Sequence, residues 1–217
     1  MSAEGPYPKR LLVEGEADKY AILGIMKAHL VWPDDPPWPV FIKGMGGNSE
    51  LLKKDVFAFY FKTTAVQTFG VVVDADMNPK GKFQSICSCL ADHCDGLPNE
   101  MPNEGLILRA KNGKRFGAWV MPDNSSQGAI ESLLKMTIEP TGRPLLAYAE
   151  SCSALAKKDY DAPFRDSDRE KAEVFSWLAW QDPPSPTAHQ SLRRGLMNPR
   201  SAPLVPFVNW FKNLYSL

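Results

Sequence analysis

Apolar and polar positions alternate along the chain in two rhythms, one of strands and one of helices. The run KRLLV at 9–13 is short and apolar, and it stops at Glu14-Gly15. Residues 16–31 then place Tyr20, Ile22, Leu23, Ile25, Met26 and Leu30 at helical spacing. A strand, a tight turn and a helix are predicted. The proline-rich stretch 32–39 reads as a loop, and VFIKG at 40–44 as a second strand. Asn48 or Ser49 is placed to cap one helix through Leu51, Leu52, Val56 and Phe59. FGVVVDAD at 69–76 is the clearest buried strand, an unbroken apolar run ending on two aspartates. Such runs belong to parallel sheets covered on both faces.

A helix is expected over 82–94. Asn112-Gly113, flanked by strand-like sequence at 105–110 and 115–121, predicts a hairpin with a type I′ turn. Pro122-Asp123-Asn124 closes the second strand, and a helix starting near Ser126 would carry Glu131. From residue 144 the rhythm is helical, with helices predicted over 145–158, 167–180, 187–196 and 204–215 and a linker at 181–187. The predicted fold is α/β: a Rossmannoid parallel sheet with an added antiparallel hairpin and a helical C-terminal extension. Its predicted division is 1–140 for the core and 141–217 for the extension packed on it.

Composition narrows the function. Apolar residues make up 44% of the 217 and charged residues 23%, a balance that builds a core and excludes wholesale disorder. No apolar run approaches the length of a membrane span, and the first ten residues lack the pattern of a secretory leader. A cytosolic protein with no membrane partner is expected. Lys+Arg and Asp+Glu are both 25, so a nucleic-acid partner would have to be met by a local basic patch or presented by another protein. Cys87, Cys89, His93 and Cys94 lack the paired spacing of a zinc site, and buried thiols are the expected reading.

The acids carry the candidate chemistry. Asp74 and Asp76 end a buried strand two residues apart and would share a face if the strand persisted. Glu14 ends the first strand, and Asp18 sits four residues on, in the first helical turn. Open α/β sheets place their sites beyond the carboxyl ends of parallel strands, where both groups fall. Two like charges about 4 Å apart repel by roughly 4 kcal/mol at an effective dielectric of about 20. Such a cluster is therefore protonated or neutralised by a cation, and carboxylates favour Mg²⁺ or Mn²⁺ over zinc. Asp123 and Glu131 are candidates to complete the set; each also has an ordinary reading, Asp123 as a helix cap and Glu131 as a solvated helix acid.

At these residues the chain resembles the Toprim superfamily, in which a strand-end glutamate precedes glycine and a later strand ends in D-x-D. Here these are Val13-Glu14-Gly15 and Val73-Asp74-Ala75-Asp76. L-V-E-G-E-A-D is similar to the first motif of OLD-family nuclease Toprim domains, in which a second acid, here Asp18, follows the glutamate by four. The chain also resembles a bacterial Toprim-like family of unknown function, including W-V-M-P-D-N-S-S-Q-G-A-I-E at 119–131 and F-S-W-L-A-W-Q-D-P-P late in the chain. The resemblance implies Mg²⁺- or Mn²⁺-dependent phosphodiester hydrolysis of DNA or RNA. Asp74 and Asp76 would be metal ligands, Glu14 the acid/base or a ligand, and Asp18 and Glu131 would assist. It also implies a role in bacterial defence beside a separate ATPase, since no Walker A sequence is present here. OLD-type sites use a lysine, for which Lys157, Lys158 and Lys171 are candidates. The leading alternative is a non-catalytic module binding nucleic acid or a partner ATPase, and a third reading is a phosphotransfer or nucleotide-processing enzyme using the same acids.

Three further features remain. Gly44-Met45-Gly46-Gly47-Asn48 has the composition of a phosphate cradle or of any tight strand-to-helix turn. Arg109, Lys111, Lys114 and Arg115 concentrate at the hairpin and could contact nucleic-acid phosphates, or simply solubilise it. Trp177, Trp180, Phe207, Trp210, Phe211 and Tyr215 could stack on bases but read as core of the last helices, with a residual apolar face that could serve as a protein interface; a homo-oligomer is also open.

Overall fold

A computed structural model describes residue 5, residues 7–185 and residues 187–217. Half of the ten-residue opening segment read for a leader, and Pro186 of the linker, lie outside the described residues. The chain runs β1 (Lys9–Val13), α1 (Glu16–Lys27), β2 (Phe41–Gly44), α2 (Asn48–Leu51), α3 (Lys54–Lys62), β3 (Thr68–Asp74) and α4 (Pro79–Leu90). It continues through β4 (Leu106–Arg109), β5 (Arg115–Met121), α5 (Ile130–Lys135), α6 (Arg143–Asp159), α7 (Arg169–Ala179), α8 (Ala188–Arg193) and α9 (Val205–Tyr215).

The strands form one five-stranded sheet in the order β2-β1-β3-β5-β4, parallel throughout except for the edge strand β4. Strand periodicity of two divides the apolar residues between faces. Leu11, Val13, Val72, Trp119 and Met121 enter one buried cluster with α1, α5 and α9. Leu12, Val71, Val73, Phe116, Ala118 and Val120 enter the other, against Phe57, Phe61, Phe83 and Ile86 of α3 and α4. With helices on both faces, β3 and β5 have no side that needs to be polar, which explains their continuous apolar sequences. This is the expected α/β, Rossmann-like architecture with its hairpin and C-terminal helices.

The C-terminal helices supply core. Gly70 and Gly117 are register partners on β3 and β5, and Leu214 of α9 lies over both. A Cβ built on Gly117 would meet Leu214 Cδ2 at 2.6 Å, so the glycines admit the helix to the sheet. Trp210 Nε1 donates to Leu106 O at 3.1 Å, and Tyr215 Oη donates to Arg10 O at 2.6 Å. Among the described residues no helix is long and apolar enough to cross a membrane.

Several local expectations are corrected. The single helix predicted from Asn48 breaks at Leu52, with extended Lys53 restarting it as α3. In an unbroken helix Leu51 and Phe57 would lie about 120° apart at 3.6 residues per turn; the break sends both into one core cluster. The hairpin turn is not type I′, because Gly113 has φ 84° whereas Asn112 is not among the residues with positive φ. Gly113 N donates to Ala110 O and Ala110 N to Lys114 O, both at 2.8 Å, a three-residue loop with the glycine as the bulge. The helix expected near Ser126 begins at Ile130, because residues 122–129 are used to reach across to the loop after β3.

Candidate functional site

The site is assembled where β1 and β3 end side by side. Val13 pairs with Val72, so Glu14 emerges next to the end of β3. Glu14 Oε1 accepts the Asp74 N–H at 3.0 Å, joining residues 60 positions apart. Beyond Asp74, Asp76 forms an antiparallel bridge with Gly128, with N–H···O distances of 2.9 and 2.8 Å. That bridge brings the start of α5 over the strand end, where the Ile130 N–H donates to Asp74 Oδ1 at 3.0 Å. Glu131 follows at once and is buried. Asp18 reaches back along α1 to accept the Gly15 N–H at 2.7 Å, so its capping bond also holds it beside Glu14.

Glu14, Asp18, Asp74 and Glu131 thus form one electrostatically linked group. Burial raises Glu14, Asp18 and Glu131 above their ordinary carboxylate values. Asp74 is raised most clearly, by burial first and then by Glu14, Asp18 and Glu131. Two lysines oppose this. Lys82 Nζ lies 2.7 Å from Asp76 Oδ2 and also lowers Glu14. Lys171 Nζ, from α7, lies 3.6 Å from Glu131 Oε1 and lowers Asp18 as well. Burial disfavours the Lys171 ammonium, but Glu131, Asp74, Asp18 and Asp168 together outweigh it and hold its value above normal.

The remaining candidates divide. The strand ends at Asp74, and Asp76 turns into the left-handed region with φ 50° and pairs with Lys82, yet stays near enough to Glu14 to raise its proton affinity. Asp123 is not brought to the cluster. Its oxygens accept from the backbone and hydroxyl groups of Ser125 and Ser126, which closes its own turn. Of the three lysines, Lys157 donates to Phe164 O and Lys158 lies 3.8 Å from Asp159; only Lys171 joins the acids.

The basic hairpin lies at the opposite end of the sheet from the acids. Arg115 pairs with Thr68, at the start of β3, six residues before Asp74, or about 20 Å at about 3.3 Å per residue. Arg109 bonds Gly113 O, Lys111 pairs with Asp95, Lys114 bonds Tyr60 O and Thr63 O, and Arg115 bonds Ser216. The glycine loop is similarly engaged. Met45 N donates to Val13 O and Glu14 O, and Gly47 N to Glu14 O, so it holds Glu14 in place and leaves those amides unavailable to phosphate.

Two recesses flank the acids, and the sequence reading missed both. An open groove of about 480 Å³ beside Lys82 is lined by Asn48, Ser49, Leu52, Asn78, Gly81, Lys82 and Ser85. A more apolar cavity of about 320 Å³ on the other side is lined by Tyr20, Glu131, Phe175 and His189 among others. Lys82 was legible in principle, in the first turn of the helix that follows D-x-D.

Among the described residues, no three His, Cys, Asp or Glu side chains are arranged to hold a metal ion. The donor chemistry does suit a hard divalent cation. The cluster consists of carboxylates, and buried Glu131 Oε2 has no hydrogen-bond partner. Asp76 and Glu131 are held by Lys82 and Lys171, so either would have to leave its lysine to reach an ion. Cys87, Cys89, Cys94 and Cys152 are free thiols, and the His93 ring stacks on Phe61 at 4.4 Å.

Fold and site together define an α/β, Rossmann-like protein with a buried acidic cluster at the carboxyl ends of its parallel strands. The chain belongs to the family described as "Protein of unknown function (DUF3226)", whose model matches residues 8–216. No curated protein and no solved structure matches it.

Proposed function

We propose that this chain is a Toprim-like, Mg²⁺- or Mn²⁺-dependent phosphodiesterase that cleaves DNA or RNA. The observation that carries this reading is the bond from Asp74 N to Glu14 Oε1, which holds two strand-end acids together despite their repulsion. Asp74, Asp76 and Glu14 would hold the cation, with Asp18 and Glu131 available to a second. A divalent cation in such a site neutralises phosphate charge and makes water a better nucleophile. Glu14 is suited to general acid/base work: one oxygen is pinned by the Asp74 N–H, and its raised proton affinity brings it towards neutral pH. Lys171 would place its ammonium against a phosphate oxygen once Glu131 releases it. The groove with Asn48, Asn78, Lys82 and Ser85 would bind the backbone in place of the distant hairpin.

A second reading is a non-catalytic module that binds nucleic acid or a separate ATPase, the partner suggested by the Toprim resemblance. The Lys82–Asp76 and Lys171–Glu131 ion pairs favour it, because they satisfy part of the cluster internally. Incubation with single- and double-stranded DNA and RNA in Mn²⁺ separates the two. Cleavage by the wild type, lost in Asp74→Asn with the fold intact, supports the enzyme. Binding without cleavage, unchanged in Asp74→Asn, supports the module.

A further inference from the structure

Two cavities meet at Tyr20 of α1. The first, of about 320 Å³, adjoins the acidic cluster, since buried Glu131 lines it together with Ala17, Phe175 and His189. The second, of about 260 Å³, lies further along α1 and is lined by Lys19, Lys27, Trp32 and Trp38 among others. Tyr20 lines both and is 46% exposed. Its surroundings fix it: His189 Nδ1 donates to Tyr20 O at 2.9 Å, and Lys19 Nζ lies over the ring at 5.1 Å from its centroid. Trp38 is fixed as well, stacked on Tyr7 with ring centroids 5.9 Å apart. Both cavities fall near the lower limit of roughly 300 Å³ for small-molecule sites, room for one flat ring system each.

Charge and length identify the occupant. Passing along α1, the order is acids, then aromatic rings, then two ammonium groups. Lys19 pairs with Glu16 at 2.7 Å and Lys27 with Asp34 at 2.5 Å, and both of these acids are well exposed. Exposed pairs contribute about 0–1 kcal/mol, so either lysine can exchange its carboxylate for a phosphate. Asp18 and Lys27 lie nine residues apart on one helix, about 14 Å at about 1.5 Å per residue. That is the length of about four nucleotides at about 3.4 Å each. We propose that the two cavities are stacking subsites for unpaired bases of a single strand that runs from the acidic cluster along α1. The proposal rests on the phosphodiesterase reading and narrows its substrate to single-stranded nucleic acid. One base occupies the cavity of Tyr20 and Phe175, another that of Trp32 and Trp38, and Lys19 and Lys27 neutralise phosphates of the strand. Every base has a π-face, so stacking of this kind tolerates any sequence. A duplex keeps those faces inside its own stack and cannot offer them to either cavity.

Fluorescence anisotropy tests the track, with a labelled single strand of about twelve nucleotides, within the site sizes of single-strand binders, and the duplex of the same sequence. The Asp74→Asn chain in Mg²⁺ serves for binding, so that nothing is cleaved. The single strand should bind at least tenfold more tightly than the duplex. Tyr20→Leu and Trp38→Leu should each weaken single-strand binding at least fivefold, the equivalent of about 1 kcal/mol for one stacked base, while Tyr20→Phe should not. Circular dichroism of the Tyr20 variants should stay that of the parent. Equal binding of strand and duplex, no binding of either, or full binding by Tyr20→Leu overturns the proposal. Cleavage by the chain with Asp74 intact is scored separately in Mn²⁺. Single-strand binding through Tyr20 without any cleavage would support the stacking subsites and remove the phosphodiesterase reading. Cleavage of strand and duplex alike, unaffected by Tyr20→Leu, would keep that reading and remove the subsites.

Discussion

Replacing Lys171 with methionine removes the cation that faces Asp18, Asp74 and Glu131 while keeping most of the side chain's bulk. At 3.6 Å, the Lys171–Glu131 attraction corresponds to about 5 kcal/mol at an effective dielectric of about 20. Lys171 is about half exposed, so solvent screens much of this, whereas Glu131 is buried and pairs poorly with water. The expected loss lies between the roughly 0–1 kcal/mol of surface pairs and the 3–5 kcal/mol of broken buried pairs, at about 2 kcal/mol. For a chain of this size that is a fall in Tm of about 4–8 °C. The loss should depend on pH. Without Lys171 the Glu131 and Asp18 carboxyls bind protons more tightly in the fold, and a protonated acid no longer needs the lysine. The penalty is therefore largest near pH 8 and shrinks towards pH 5. Thermal melts at both pH values, repeated in a Glu131→Gln background, measure it. In that background Lys171→Met should cost far less. An equal loss at both pH values, or an undiminished loss beside Glu131→Gln, would refute the electrostatic account of the cluster.

Three further outcomes are expected. Folded-state proton affinities of Glu14, Asp18, Asp74 and Glu131 are all raised, so the fold binds more protons than the unfolded chain above about pH 4. Stability of the metal-free chain should accordingly fall as pH rises from 5 through 8, and Mg²⁺ or Mn²⁺ should reduce that slope in calorimetry; a rising slope would contradict the cluster. Gly117→Ala should destabilise by about 1–3 kcal/mol in urea unfolding, because its methyl would meet both Leu214 methyl carbons at under 3 Å. Neutralising Lys111 and Arg109 at the hairpin should leave nucleic-acid cleavage unchanged within about twofold, since about 20 Å of sheet separates them from the acids.

The architecture was legible where a side chain's position is set by its neighbours in sequence. Apolar runs that stop at Glu14 and at Asp74 announce parallel strands and the end at which their acids emerge. The convergence of Glu14 with Asp74 follows once β1 and β3 are adjacent. The sequence names Lys171 only beside Lys157 and Lys158 and cannot choose among them, because its approach depends on α7 packing against α5, some 40 residues earlier in the chain. The condition that places Asp76 on the face of Asp74 is a strand that persists, and the chain leaves it: the left-handed backbone of Asp76 turns its side chain to Lys82. The hairpin illustrates a different error. A hairpin entering a parallel strand must lie at that strand's start, opposite the carboxyl ends, so order alone already separated Arg109, Lys111, Lys114 and Arg115 from the acids. Asp123 failed as a cluster residue because local bonds to Ser125 and Ser126 outcompete a distant partner.

Titration with Mn²⁺, followed by electron paramagnetic resonance, tests the central claim most directly. The account predicts saturable binding that Mg²⁺ displaces and that Asp74→Asn weakens at least tenfold while its circular dichroism stays that of the wild type. No saturable binding, or equal binding by Asp74→Asn, would contradict it.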